Sequence, residues 1–293
     1  MTYRHTFRSQ LVEIEDATLE VWEAGEGPVT FVASHPYRAN SSPHPAGYLT
    51  DVLASIGRTF WICGRDVGRS SPEPDDDKLT MHQLADDTEQ VRQALAIDRW
   101  IPAGTSTGGV TALFVGLNHP QAAQALILIG CGPSWRFSEE PYSIYNPKNP
   151  VFQRLARLEE EDNGGEAWRR AMLEASVHNQ AVVDTLMQDI AIHRRRLDVI
   201  GREIIEERWD DKRRLGQIKV PTLVVNGRYD WQSGSLHPAF ELVEGITTSQ
   251  LALLNHSGHM PYTEEPEEFE YAIRHWVEHW VLSSASETNA AVV

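Results

Sequence analysis

The stretch Gly104-Thr-Ser-Thr-Gly108 lies between a short apolar run and a segment that favours a helix. It matches the pattern G-x-S-x-G, in which a sharp strand-to-helix turn exposes a serine as a nucleophile. Residues 98–103 are typical of a short buried strand, and residues 109–118 of a helix that ends before Pro120. Glycines suit such a turn because the two backbones nearly touch there. From the pentapeptide alone, a nucleophile turn and an ordinary glycine-rich loop remain open alternatives.

The composition favours a globular protein without a membrane span. The chain has 293 residues, of which 41% are hydrophobic, enough for a sizeable core. No run reaches the roughly 18 apolar residues of a membrane span, and the N-terminus lacks the apolar segment of a signal peptide. Cys63 and Cys131 lie in apolar strand-like segments, which favours buried reduced thiols over a disulfide. Together these features predict a cytoplasmic protein.

The formal net charge of −16 bears on partners. It argues against nucleic-acid binding, which needs a basic surface, and against binding to anionic membranes. The only basic run is Arg194-Arg195-Arg196, which lies in a helical pattern and is predicted to be a solvated helix face. The expected partner is a small-molecule substrate. The oligomeric state is not determined by these patterns, and a homodimer stays open.

Strand and helix patterns alternate over the first 130 residues. The first two strand patterns predict an antiparallel pair, and the later near-continuous apolar runs predict strands covered on both faces. Such alternation predicts a mostly parallel sheet with helices on both sides. The predicted strands are residues 11–14, 18–22, 29–34, 59–63, 98–103 and 125–129, and the predicted helices are 47–56, 80–97 and 109–118.

The alternation is interrupted after Gly132. Residues 133–150 are rich in Pro, Ser, Tyr and Asn, and residues 151–214 are charged and helical without a strand candidate. This predicts a helical cap at residues 134–214 inserted into a core of residues 1–133 and 215–293. The predicted cap helices are 152–161, 166–177 and 180–208. After the cap the sheet resumes with predicted strands 220–227 and 250–255. A helix at 238–243 separates these strands, and a helix at 264–283 follows them.

A serine nucleophile needs a general base, and the base needs an acidic partner. In an open α/β sheet, functional residues lie just beyond the C-terminal ends of strands. Asp230 follows one predicted strand, and His259 follows the last one. Asp230 alone would more simply be a turn residue that caps the next helix. The order Ser106, Asp230, His259 makes a catalytic set the better interpretation.

At these positions the chain resembles the α/β-hydrolase superfamily, in its branch of capped esterases, lactonases and proline-iminopeptidase-like proteins. The resemblance spans roughly residues 10–282 and implies a mostly parallel eight-stranded sheet with an inserted helical cap. It implies Ser106 as nucleophile, Asp230 as triad acid and His259 as base. His256 fits the role of base less well, because the family base directly follows the glycine of S-G-H, as His259 does here. The matching stretches are Asp66-Val-Gly-Arg-Ser70, Gly104-Thr-Ser-Thr-Gly-Gly109, residues 221–230 and residues 257–269.

The chain departs from the family at His35-Pro36-Tyr37, where the family commonly has His-Gly. Pro36 has no N–H and cannot donate to an oxyanion. The resemblance implies the amides of Tyr37 and Thr107 as oxyanion donors, and both remain. The departure removes the H-G-G-P-G pattern of proline iminopeptidases, which counts against peptidase activity.

Other residues are weaker candidates. Tyr37, Trp135 and Trp231 flank the motif positions and are predicted to line the substrate pocket, although each has packing as an alternative. Cys131 lies after a strand, where a buried structural thiol is the simpler interpretation. Residues 159–162 offer carboxylates to a substrate amine or, more simply, a solvated charge run. No metal-ligand spacing and no phosphate-binding glycine loop occurs, so neither a metal nor another cofactor is expected.

The sequence therefore predicts a serine hydrolase that cleaves a small, largely apolar carboxylic ester or lactone through an acyl-enzyme. Hydrolysis of C–C bonds, amides or thioesters, and iminopeptidase activity, would use the same triad. A non-hydrolytic ligand-binding protein, lyase or cyclase is the alternative from another class. Haloalkane dehalogenases and epoxide hydrolases are disfavoured because they need a carboxylate where Ser106 stands.

Overall fold

The computed structural model describes residues 3–39 and 47–283. The ends of the predicted core, residues 1–2 and 284–293, lie outside the described residues. The strands are β1 Arg8–Glu13, β2 Thr18–Ala24, β3 Thr30–Ser34, β4 Arg38–Ala39, β5 Arg58–Ile62, β6 Ile101–Thr105, β7 Leu126–Ile129, β8 Ala191–Ile192, β9 Thr222–Gly227 and β10 Ser249–Leu254.

One sheet of eight strands has the order β1-β2-β5-β3-β6-β7-β9-β10. The contacts of β2 with β1 and with β5 are antiparallel, and all the other pairs in this sheet are parallel. The eight-stranded, mostly parallel sheet and its antiparallel opening pair are therefore confirmed. Because β3, β6, β7 and β9 are neighbours, the loops that leave their C-terminal ends meet at one edge.

Helices cover the sheet on both faces. Neighbouring residues of β7 show this: Ile127 and Ile129 join the apolar cluster that contains Leu49 and Phe269. Leu126 and Leu128 join the cluster that contains Leu113 and Leu242. The helices are α1 Gly47–Ala54, α2 Met81–Ala94, α3 Thr107–Asn118, α4 Pro150–Asp162, α5 Glu166–Ser176, α6 Val183–Asp189, α7 Arg194–Arg202, α8 His237–Gly245, α9 Pro261–Glu264 and α10 Pro266–Trp276. None of the helices in the described ranges is long and apolar enough to cross a membrane.

Two helix predictions are wrong in detail. The single helix predicted for residues 180–208 is α6, then β8, then α7 and a π-helical turn at Glu203–Glu207. The expectation of no strand in this region is also wrong, because β8 pairs with β4. A two-residue strand has no periodicity to detect and exists through its distant partner. The closing helix predicted for residues 264–283 differs only in its start and its type: it is α10, which begins at Pro266, followed by a π-helical turn at Val277–Leu282.

Candidate active site

Ser106 lies at the turn between β6 and α3 in a conformation that a residue with a side chain seldom adopts. Its φ is 55° and its ψ is −128°, which costs free energy unless the surrounding structure holds it. The Ser106 amide donates to the Ile129 carbonyl at 2.9 Å, and its carbonyl accepts from the Val110 amide at 3.0 Å. The backbone is therefore held between a neighbouring strand and the first turn of α3.

The flanking glycines are required by contact. A Cβ at Gly104 would collide with the Gly108 carbonyl, and a Cβ at Gly108 would lie 2.6 Å from the Ser34 carbonyl oxygen. Side chains at either position would separate β6, α3 and the end of β3. The pentapeptide therefore forms a strained strand-to-helix turn between β6 and α3, and it is not an ordinary glycine-rich loop.

Asp230 and His259 form a buried pair at the ends of β9 and β10. The His259 Nδ1 atom lies 2.9 and 3.0 Å from the two carboxylate oxygens of Asp230. The Ser233 amide and hydroxyl add hydrogen bonds of 3.1 Å to the same carboxylate. Because a carboxylate accepts, Nδ1 carries the proton and Nε2 keeps its lone pair.

Ser106 and His259 line the same cavity. His259 Nε2 is buried and has no hydrogen-bond partner among the described residues. The Ser106 hydroxyl is therefore not hydrogen-bonded to His259 in this structure, a spacing common before substrate binds. Because both residues line one cavity, a hydrogen bond between the Ser106 hydroxyl and His259 Nε2 would complete the proton-transfer chain.

Glu264 fixes the His259 loop, a role that sequence reasoning did not assign although Glu264 lies in a matched stretch. One carboxylate oxygen accepts from the Gly258 and Met260 amides at 3.0 and 3.1 Å. The other accepts from the His178 and Asn179 amides at 2.7 and 2.9 Å. Glu264 therefore joins the loop that carries the histidine to the segment after α5.

His35 backs the nucleophile turn as a neutral group. Burial holds the pKa of His35 well below its usual range. Its Nε2 lies 3.4 Å from the Thr107 hydroxyl. Thr107 is the first residue of α3, so its amide belongs to the helix-start donors that lack an intrahelical acceptor. This arrangement leaves the Thr107 N–H as a candidate oxyanion donor.

The cavity has a volume of about 660 Å³. Tyr37, Thr107 and Trp135 line it, but Trp231 does not: its side chain is 40% exposed with its ring 5.8 Å from that of Tyr142. The prediction that Trp231 lines the pocket is therefore wrong: the next two residues, Gln232 and Ser233, are buried and line the cavity, but Trp231 is exposed. Apolar side chains from residues 134–214 form much of the remaining wall: Trp135, Phe137, Tyr145, Phe152, Leu197, Ile200 and Ile204.

Charged and nucleophilic groups at the cavity are few. Cys131 lines it as a free thiol, and burial raises its pKa to about 12, so the thiol stays protonated. Glu139, Lys148 and Arg208 line it as well, and Glu139 is paired with Arg136. Glu159 pairs with Arg194 and does not line the cavity. No cluster of potential metal ligands occurs within residues 3–39 and 47–283.

Known proteins resemble this chain over differing shares of its length. It is 28% identical over 228 residues to a protein of Rhizobium rhizogenes provisionally named carbamate hydrolase RutD, covering 75% of this chain and 82% of that protein. It is 29% identical over 138 residues to a proline iminopeptidase of Neisseria gonorrhoeae, covering 45% of this chain and 43% of the iminopeptidase. The second match therefore spans less than half of that relative.

Structural and family comparisons agree with the resemblance seen in the sequence. An α/β fold family hydrolase from Bacillus anthracis has a TM-score of 0.83 at 21% identity, covering 91% of this chain and 98% of that one. At this identity the likeness concerns the fold alone. A family model described as alpha/beta hydrolase fold matches residues 65–266. The chain therefore belongs to the α/β-hydrolase family.

Proposed function

We propose that this protein is a serine hydrolase that cleaves a small, largely apolar carboxylic ester or lactone. The observation that carries the proposal is the common cavity of Ser106 and His259. Ser106 sits on a strained turn, and His259 directs an unpartnered Nε2 into the same space while Asp230 holds its other nitrogen. This combination supplies a nucleophile, a base and an orienting acid.

In the proposed reaction, His259 Nε2 takes the proton of the Ser106 hydroxyl as its oxygen attacks the carbonyl carbon. Asp230 keeps the imidazole in the reactive tautomer and stabilises the imidazolium that forms. The amides of Tyr37 and Thr107 hold the developing oxyanion, and each such donor contributes roughly 10²-fold or more in rate. His259 then protonates the leaving alkoxide, and a water activated by His259 releases the acyl group.

The cavity wall supports an ester or lactone over a prolyl substrate. An iminopeptidase substrate carries a cationic amine, which needs an anionic partner. The only carboxylate of the described residues that lines the wall beyond the Asp230 pair is Glu139, and it is already paired with Arg136. Lys148 and Arg208 add positive charge to the same wall. A neutral acyl group can pack against the aromatic and aliphatic residues without bringing a positive charge near Lys148 and Arg208.

Residues 134–214 are assigned in this proposal as the cap that shapes the substrate. Their aromatic and aliphatic side chains line the same cavity as Ser106 and are proposed to limit the length of the acyl group. The core, residues 1–133 and 215–293, supplies the three catalytic side chains. Substrate choice therefore belongs mainly to the cap, while the chemistry belongs to the core.

The decisive variant is Ser106→Ala, with Ser55→Ala as a control. Ser55 lies in the turn after α1, where it hydrogen-bonds Val52 and Glu270, away from the cavity. We expect kcat for p-nitrophenyl acetate or butyrate to fall by at least about 10³-fold in Ser106→Ala and to stay unchanged in Ser55→Ala. Undiminished turnover by a folded Ser106→Ala protein contradicts the mechanism.

Labelling and a substrate panel separate the remaining functions. A fluorophosphonate should form an adduct on Ser106, and its absence favours a non-hydrolytic binding protein, lyase or cyclase. Esters, lactones, thioesters, prolyl amides and β-diketones of similar acyl size should then be compared by kcat/KM. A preference for the amide or the β-diketone would replace the ester proposal while keeping the triad.

A further inference from the structure

Residues 191–196 of the predicted cap run along the loop that follows β3. Ile192 and Ala191 pair with Arg38 and Ala39 in an antiparallel ladder. The His193 amide continues it by donating to the Tyr37 carbonyl at 2.8 Å. One turn later, the Arg196 guanidinium donates through Nε to the Pro36 carbonyl. The loop that carries the candidate oxyanion donor is thus held by a segment more than 150 positions away.

Arg196 is not part of a solvated helix face, so that prediction is wrong for this residue. Arg194 and Arg195 are partly exposed and form ion pairs, whereas Arg196 is only 1% exposed. Its guanidinium is hydrogen-bonded to backbone carbonyls: those of Pro36, Arg65 at 2.6 Å and Leu79 at 3.5 Å. No ion pair of Arg196 occurs within the described ranges.

A buried cation that makes no direct ion pair is costly, even though the Asp66 and Asp87 carboxylates lie near enough to favour its charged form. Desolvation favours the neutral form, and burial accordingly lowers the pKa of Arg196 to about 10. Even a buried ion pair can often be replaced by apolar residues without loss of stability, so burying a charge is not by itself stabilising. Folding alone therefore gives a weak account of why a guanidinium occupies this position.

The geometry of one peptide unit supplies a better account. The peptide bond between Pro36 and Tyr37 is planar. It is trans because the residue that follows it is not a proline, so the Pro36 C=O and the Tyr37 N–H point in opposite directions. Its carbonyl points to Arg196, which does not line the cavity, while Tyr37 does. The Tyr37 N–H is therefore directed away from the guanidinium, and Tyr37 itself lines the cavity. The loop abuts the nucleophile turn, since a Cβ at Gly108 would lie 2.6 Å from the Ser34 carbonyl.

The same contact strengthens the donor. A cation bound to a carbonyl oxygen polarises the whole amide, and hydrogen bonds in such chains reinforce one another by roughly 10–30%. Pro36 contributes rigidity because its ring restricts φ. A proline at the usual glycine position thus makes the loop stiff, and Arg196 selects which way its peptide faces.

We propose that Arg196 is a positioning residue that, through the Pro36 carbonyl, fixes the Tyr37 N–H as an oxyanion donor. The cap segment then completes the oxyanion hole in addition to covering the cavity. This inference rests on the proposed function, because it needs an oxyanion to be stabilised beside Ser106.

The test compares Arg196→Met with Arg195→Met. Arg195 is a matched control on the same helix: it is 37% exposed, pairs with Asp66 and Asp76, and makes no hydrogen bond to residues 36 or 37. We expect kcat per fluorophosphonate-labelled site to fall about 10- to 100-fold in Arg196→Met, with KM changed less than about threefold. Arg195→Met should stay within twofold of the unmodified protein in both constants.

Two further readouts separate positioning from a structural role. Affinity for a boronic acid that mimics the tetrahedral intermediate should weaken by the same factor as kcat, whereas affinity for the carboxylate product should not. Arg196→Lys keeps one charged donor and should recover part of kcat. A purely structural role would instead lower the labelled fraction and leave kcat per site unchanged.

The failures of the two proposals can be told apart. If Ser106→Ala keeps its turnover, the proposed function is wrong. If Ser106 is essential but Arg196→Met matches Arg195→Met in kcat per site, only the role of Arg196 is wrong. If neither Arg196→Met nor Arg196→Lys folds, Arg196 is structural and the inference is overturned.

Discussion

Arg65 and Arg196 are buried side by side but have opposite surroundings. They are 2% and 1% exposed, and Arg196 Nη1 donates to the Arg65 carbonyl at 2.6 Å. The Arg65 guanidinium contacts Asp87 through two hydrogen bonds of 2.9 Å, and it also binds Glu73 and Asp16 at 3.1 and 2.5 Å. Arg196 contacts carbonyl oxygens instead.

The difference is reflected in the two pKa values. The hydrogen bonds that Arg65 donates to Asp87 raise the pKa of Arg65, whereas burial lowers the pKa of Arg196. Removing a guanidinium that neutralises buried carboxylates leaves those charges unpaired, which destabilises the fold. The role proposed for Arg196 is instead to set the direction of one peptide unit. We therefore expect substitutions in the Arg65 region to change stability and those at Arg196 to change catalysis.

The largest expected effect on stability is that of Arg65→Met. It leaves the buried Asp87 carboxylate without its cation, and breaking a buried pair from one side costs about 3–5 kcal/mol. Urea denaturation at pH 7 should show this loss in the free energy of unfolding, while kcat per labelled site should stay near its original value. A loss below about 1 kcal/mol would remove the contrast between the two arginines.

A smaller, pH-dependent effect is expected at Glu203, which is buried beside Arg196 and accepts from the Met81 amide at 2.9 Å. Burial raises its pKa to about 7. Because the folded pKa lies above the unfolded value, the native protein holds the proton more tightly, and stability is lost as pH rises through about 7.

Glu203→Gln should abolish that dependence. At pH 8 we expect the variant to be more stable than the unmodified protein by on the order of 1–3 kcal/mol, and below about pH 4 the two should be alike. Thermal unfolding followed from about pH 4 to pH 8 measures the difference. Parallel stability curves would show that Glu203 does not titrate in this range.

The smallest effect is expected at the exposed edge of the Arg65 cluster. Lys78 is 40% exposed and pairs with Asp16 at 2.6 Å. Such pairs add little to stability because water competes for both charges. Lys78→Met should leave the urea midpoint unchanged within error. A loss as large as that of Arg65→Met would show that the cluster acts as one unit regardless of exposure.

Much of the fold was predictable because its signals are local. The buried strands are continuous apolar runs, and the nucleophile turn needs glycines where backbones touch, so both are visible in short stretches. Trp231 was not predictable in the same way. It follows Asp230 directly, but which side chain faces the cavity depends on how the chain turns after β9.

The three arginines at 194–196 show the same limit more sharply. All three are the same amino acid, but successive side chains on a helix point about 100° apart around its axis, so the three face different surroundings. Only the position of the 36–37 loop makes the third one buried. Likewise, β8 and the role of Glu264 depend on partners far away in the chain.

The sequence by itself determined the mostly parallel sheet, through its alternating strand and helix patterns, and the family, through its resemblance to known hydrolases. It also determined the candidate residues Ser106, Asp230 and His259, because each lies in a local pattern at the end of a predicted strand. The tertiary structure alone decided which residues enclose the cavity, how Glu264 holds the histidine loop, and why Arg196 is buried. The physical reason is that a hydrogen bond or a buried charge needs a partner, and these partners come from segments that sequence periodicity does not connect.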